Sequence, residues 1–287
     1  MRDFSADHDW LSLNTATVRK QWELDQIIDE CAKKGIRAIS PWRDQVAAIG
    51  LKKIAAQLKA LDICLSGYCR GGFFPAISAA HRQASLADNR LAIDEACELA
   101  APCVVLVVGG LPGAISGQAI YNNLDRARAE VFDGIAATLE YARSCEMPLA
   151  IEPLHPMQAA ERACINTLEH ALDICDALDP AGSGQLGVAV DVYHVWWDPK
   201  LQGQIKRAGA RRLLAYHVCD WLVPTRDLLN DRGMMGDGVI ELRKIRGWME
   251  EAGFKGYCEV EIFSNTWWQK TGEEVVDACI MRHRSVV

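Results

Sequence analysis

Hydrophobic positions in this chain gather into eight short runs, at residues 11–14, 36–40, 63–68, 104–108, 149–152, 186–191, 213–217 and 256–262. Between the runs, apolar residues recur at helical spacing. The clearest cases are Leu24, Ile27, Ile28 and Cys31; Leu91, Ile93, Ala96 and Leu99; and Val131, Ile135, Leu139 and Ala142. Asn166-Thr167 precedes one helix as a cap, Lys33-Lys34-Gly35 ends the first with positive charge and glycine, and Gly253 follows another. Strand and helix alternate eight times, with no composition shift and no low-complexity linker. This predicts an α/β protein with one (β/α)8 barrel domain over residues 1–287 and an active site at the C-terminal mouth of its strands. A doubly wound open sheet would instead carry a glycine-rich phosphate turn after its first strand. Here the first run leads into Asn14-Thr15-Ala16-Thr17. Gly109-Gly110-Leu111-Pro112-Gly113 follows the fourth run and lacks the G-x-G-x-x-G spacing, so it reads as a mobile loop at the active-site face.

Four metal-ligand residue types end or nearly end the last four runs: Glu152, Asp191, His217 and Glu261. They are separated by 39, 26 and 44 residues, too far for a local helix or turn to unite them. A parallel barrel can, because all its strand C-termini converge on one mouth. Three carboxylates and one imidazole would hold one divalent cation there. Oxygen-rich ligation suits Mn²⁺, Mg²⁺ or Co²⁺, and the imidazole keeps Zn²⁺ open. Glu259 shares the inward face of its strand with Glu261 and is the rival ligand; Glu261 is preferred because it lies nearer the strand end.

Composition narrows the partners. A formal charge of −7 opposes a nucleic-acid backbone as the main partner, since phosphate contacts need a basic face. The 11 cysteines are odd in number, spread out and never arranged as C-x-x-C, which favours a reducing cytoplasm. The polar, acidic start of the chain does not read as a signal peptide, and no apolar stretch approaches the ~20 residues of a membrane span. Membrane partners are therefore not expected. Nine tryptophans are many for this length; Trp42, Trp196, Trp197, Trp221, Trp267 and Trp268 fall in expected loops, where they would wall the ligand face of a pocket. Arg70, in Cys69-Arg70-Gly71-Gly72-Phe73-Phe74-Pro75, is expected over the pocket, and residues 230–237 read as a flexible lid. The motif-bearing strands are followed by little that resembles a backbone phosphate cradle, which disfavours a phosphorylated ligand.

Ile151-Glu152-Pro153, Asp191-Val192-Tyr193-His194, His217-Val218-Cys219-Asp220, Gly236-Asp237-Gly238-Val239-Ile240 and Val260-Glu261-Ile262 resemble the xylose-isomerase-like TIM-barrel superfamily of sugar and sugar-phosphate isomerases and epimerases, which includes endonuclease IV. The likeness runs over essentially the whole chain. It implies one divalent metal, usually Mn²⁺, on Glu152, Asp191, His217 and Glu261. In the epimerase branch the matching glutamates also transfer protons on opposite faces of the sugar, which casts Glu152 and Glu261 as the catalytic pair. His194 resembles the histidine that contacts substrate oxygens. His155, Arg226, Asp220 and Trp197 complete the expected substrate-binding set with Arg70; Asp220 is expected to orient His217 or a substrate hydroxyl.

The leading expectation is thus a metal-dependent isomerase or epimerase of a keto sugar or related polyol, proceeding by α-proton abstraction through an enediolate. A lyase, dehydratase or hydratase on an oxidised (3-keto) sugar or glycoside shares that first step and is the alternative. Endonuclease IV-like DNA repair is more distant, because the chain is acidic and has only 7 histidines. A non-catalytic sugar-binding subunit is the reading from another class. The resemblance also implies a homodimer or tetramer.

Overall fold

The computed structural model describes residues 2–287. Its strands, in chain order, are β1 (Leu11–Asn14), β2 (Ala38–Ser40), β3 (Cys64–Leu65), β4 (Tyr68–Gly72), β5 (Val104–Val107), β6 (Leu149–Ile151), β7 (Leu186–Asp191), β8 (Leu213–Val218), β9 (Asp220–Trp221), β10 (Arg232–Gly233) and β11 (Cys258–Val260). Nine of them form one sheet in the order β3-β2-β1-β11-β8-β7-β6-β5-β4. Every pairing in it is parallel. Only Ser66 and Gly67 separate β3 from β4. The two ends of that order are therefore halves of one interrupted strand, and the sheet is a closed eight-membered barrel, each member arising from one of the eight apolar runs. β9 and β10 pair antiparallel in an excursion that follows β8.

Helices α1 (Leu24–Lys33), α2 (Arg43–Ile49), α3 (Leu51–Ala60), α4 (Ala79–Glu98), α5 (Leu124–Ser144), α6 (Leu168–Leu178), α7 (Val192–Val195), α8 (Leu201–Arg212), α9 (Leu242–Glu251) and α10 (Gly272–Val286) fill the connections. Local chemistry explains their ends. Gln26 accepts a hydrogen bond from the Glu23 amide ahead of α1, and Thr167 accepts one from the His170 amide ahead of α6. Thr271 and Glu274 cap α10 reciprocally. α1 buries Leu24, Ile27, Ile28 and Cys31, the stripe its sequence predicts. Complete burial of Leu24, Ile27 and Ile28 contributes roughly 1.5–3 kcal/mol each before ordering costs. In α4 the buried face is Asn89, Ala92, Ile93 and Ala96, whereas Leu91 is exposed. The expected stripe was rotated because Asn89, a polar residue, holds the inward position: it donates to Gly72 O and accepts from the Gly72 amide.

Most apolar side chains pack between the sheet and the helices. Inside the ring, Cys69, Cys103, Val105, Ala150, Ala189 and Ala215 form a small separate cluster. These short side chains do not fill the upper barrel. Across from them the interior is polar, with Ser12, Asn14, Ser40 and Glu259 all buried. That division leaves space and hydrogen-bonding groups at the C-terminal mouth. Among the described residues, no helix is long and apolar enough to cross a membrane.

Candidate metal and sugar site

Four strands deliver the chemistry. Glu152 follows β6, Asp191 ends β7, His217 lies near the end of β8, and Glu261 follows β11. Parallel register aligns them: Asp191 stands opposite His217, and His217 opposite Glu259. One donor atom from each of Glu152, Asp191, His217 and Glu261 falls within 4.8 Å of all the others, and all four residues are buried.

The group is charged beyond its internal means. Glu152, Asp191, Glu259 and Glu261 are four buried carboxylates, and Arg232 is the buried guanidinium among them. Arg232 Nη1 donates to Asp191 Oδ2 at 2.8 Å and to Glu261 Oε2 at 3.0 Å. Asn14 Nδ2 donates to Glu259 Oε1 at 2.7 Å and Glu261 Oε1 at 2.9 Å. His217 Nδ1 lies 2.9 Å from Glu152 Oε1, yet the contact is not aligned as a hydrogen bond, and both ring nitrogens and that oxygen lack a hydrogen-bond partner. Uncompensated buried charge and orphaned lone pairs are expensive. A divalent cation among these donors relieves both, so the residues fit the group expected of them; Glu152, Asp191, His217 and Glu261 would hold it.

The carboxyl groups titrate apart. Burial pushes Asp191 up, but Arg232, His194 and His217 outweigh it and hold the carboxyl at about 2. At Glu261 burial dominates, with Glu152 and Asp191 adding repulsion, and the carboxyl is pushed up to about 8 despite Arg232 and His217. Burial opposes a charged His217, but Glu259, Glu152 and Glu261 hold its imidazole well above the usual range. His194 is driven down to about 3, chiefly by burial.

An inner cavity of ≈ 120 Å³ opens on Glu152, Glu261, His194 and Arg70. A wider one of ≈ 950 Å³ adjoins it and shares Trp42, Cys69 and Arg70. His194 is buried; its Nδ1 accepts from the His155 amide, and its Nε2 lies 3.2 Å from Arg232 Nη2. Arg70 lies over the Trp42 and Phe73 rings.

Other expected contacts sit elsewhere. His155 stacks on Trp221 with ring centroids 4.8 Å apart, behind the cavity wall. Trp197 does not line the cavity either: its Nε1 donates to His194 O at 2.8 Å and so braces that histidine. Arg226 is exposed and paired with Asp231, outside the cavity. Asp220 orients neither His217 nor the cavity: its carboxylate accepts from the Trp221, Gly236 and Ile240 amides and pins the excursion after β8. Of the six loop tryptophans, only Trp42 lines the cavities; its Nε1 donates to Asn14 Oδ1. Residues 230–237 are not a free flap, because Arg232, Gly233, Met234 and Met235 are buried and the Arg232 amide donates to Phe263 O.

Two central residues had escaped the sequence reading. Asn14 carries the same signal as the four ligands, a polar residue at a strand C-terminus. Arg232 carries none of it, since it lies in the excursion 15 residues beyond His217.

The comparisons agree with this architecture. A solved protein from Sinorhizobium meliloti 1021 is 56% identical and superposes with a TM-score of 0.91, covering 96% of this chain and 98% of that one. The IOLI protein, solved with a bound zinc atom, is 20% identical with a TM-score of 0.80 over 95% of each chain, a likeness of fold. An inosose isomerase from Bacillus velezensis is 28% identical over 118 residues, which span 39% of this chain and 40% of that protein. The family described as xylose isomerase-like TIM barrel matches residues 28–279. With that match over most of its length, the chain belongs to the xylose isomerase-like TIM barrel family.

Proposed function

We propose that this protein is a divalent-metal-dependent isomerase or epimerase of a keto sugar or related polyol, Mn²⁺ being the preferred ion. The observation that carries the reading is the convergence of Glu152, Asp191, His217 and Glu261, buried and within 4.8 Å of one another, beside a cavity. The partial match to an inosose isomerase supports the substrate class. Bound there, a divalent cation supplies Lewis-acid polarisation of a carbonyl and its neighbouring hydroxyl. Glu152 or Glu261 takes the proton from the carbon beside that carbonyl, and the other returns one. They reach the site from β6 and β11, on different sides of the ring. Arg232 and Asn14 fix the Glu261 carboxylate from two directions. His194 and Arg70 contact sugar oxygens. The small molecule is the partner; nucleic acid and membrane are not.

The test is incubation of Mn²⁺-loaded protein with candidate keto sugars in D₂O, with product mass and deuterium uptake followed by mass spectrometry. An isomer carrying solvent deuterium is expected, with loss of exchange in Glu152→Gln and Glu261→Gln. Persistent exchange in both variants overturns the proton-transfer roles. The wider ≈ 950 Å³ cavity favours a second reading, elimination or hydration on a 3-keto glycoside, because it has room for an aglycone. A product differing in mass by one water identifies that outcome.

A further inference from the structure

The cavities hold several arginines, and most are spoken for. Arg19 pairs with Asp44. Arg43 pairs with Asp88 and Glu95. Arg232 pairs with Asp191 and Glu261. Two others line the inner cavity, Arg70 and Arg162. Neither guanidinium has a hydrogen bond or an ion pair among the described residues; Arg70 has only the faces of Trp42 and Phe73. Asp44, whose field reaches Arg70, is held by Arg19, and Glu161 on the outer cavity is exposed.

The two reach the cavity from different places. Arg70 lies within β4, and Arg162 lies in the loop after β6, where its amide donates to Gln158 O at 3.0 Å. They are near enough that the Arg162 charge, after burial, depresses the Arg70 guanidinium. Two like charges facing one partly dehydrated space repel, and a shared oxyanion converts that repulsion into charge-assisted hydrogen bonds. Arg70 also stands where the inner and wider cavities meet. Side-chain guanidiniums would thus supply what the backbone, lacking a phosphate cradle, does not.

We infer that Arg70 and Arg162 form an oxyanion subsite, so that the sugar handled at the carboxylate cluster carries a carboxylate or phosphate on the part remote from the metal ligands. This deepens the proposed function and rests on that reading for the word sugar, but its readout is binding without turnover.

The experiment is calorimetric titration of chelator-stripped protein with D-fructose, D-fructose 6-phosphate and sodium D-glucuronate. At least one anionic sugar should bind about tenfold more tightly than fructose, the advantage expected of charge-assisted pairs. Whichever anion gains more identifies the source as phosphate or carboxylate. Arg70→Gln and Arg162→Gln should each erode the advantage while still taking up Mn²⁺ as the native protein does when dialysed against it; Arg162→Gln carries the test if the Arg70 variant fails to fold. Anionic sugars that bind no better than fructose, or an advantage that survives both substitutions, overturn the inference. Failure of proton exchange alone would sink the isomerase reading and leave this binding result standing.

Discussion

Arg232 and Asp191 meet at 2.8 Å inside the barrel mouth, one from the excursion after β8 and the other from the end of β7. The same guanidinium nitrogen also serves Glu261 at 3.0 Å. The excursion is therefore anchored in the carboxylate cluster it covers. Removing one partner of a buried ion pair leaves the other uncompensated. Arg232→Met is expected to destabilise the chelator-treated protein by about 3–5 kcal/mol. Added Mn²⁺ should recover part of that loss, measured as thermal unfolding with and without the ion. An unchanged midpoint in chelator contradicts this account.

Cation binding should distinguish Glu261 from its neighbour two residues earlier. Elemental analysis after dialysis against Mn²⁺ is expected to find about one ion per chain in the native protein. Asp191→Ala and Glu261→Gln should lose it, while Glu259→Gln retains it, because Asn14 and Ser66 already satisfy Glu259. Loss in Glu259→Gln with retention in Glu261→Gln would reverse the assignment.

Asp220 should matter for order rather than chemistry. Its three amide contacts hold residues 221, 236 and 240 together. Asp220→Ala should cost roughly 1–3 kcal/mol by leaving the buried Ile240 amide and the two part-buried ones unpaired. It should also open residues 222–235 to limited proteolysis, read by mass spectrometry of the fragments. Equal protease resistance in native and variant chains would refute the anchoring role.

His283, remote from the mouth in α10, sets a pH dependence. Its ring is fully buried and stacks on Phe4 at 4.5 Å. Burial, then Arg246, His8 and Arg2, lower its pKa from 6.5 to about 3, against a weaker pull from Asp7. The folded state thus keeps it neutral while the unfolded chain protonates it. Its contribution is intact above 6.5 and is lost as pH falls toward 3, at about 1.4 kcal/mol per pH unit in that window. His283→Phe should flatten the fall of stability with pH between 6 and 4 in urea titrations. Identical slopes would exclude His283 as its source.

The barrel was legible because a strand buried on both faces is a short continuous apolar run, and eight such runs separated by helical stripes admit few architectures. Glu152, Asp191, His217 and Glu261 were legible because each interrupts or ends an apolar run with a charge, an anomaly visible without any structure. Arg226 misled for the opposite reason: an arginine in a loop looks the same whether it faces solvent or a cavity. Arg232, six residues later, is the arginine of this segment that lines the inner cavity, and it lies in β10, which pairs antiparallel with β9. The loop tryptophans failed as a guide because indoles that pack on one another, as Trp196 and Trp221 do, look like indoles awaiting a sugar.

Asn14 belongs to the first strand of the barrel and Glu261 follows the last, and the seam between them is where the two ends of the chain are stitched. An ion seated on Glu261 therefore borders that joint without crossing it. Because its four ligands come from the contiguous strands β6, β7, β8 and β11, loading it acts as a clasp on that half of the cylinder, and the Asn14–Glu261 hydrogen bond alone carries the clasp across the seam to β1.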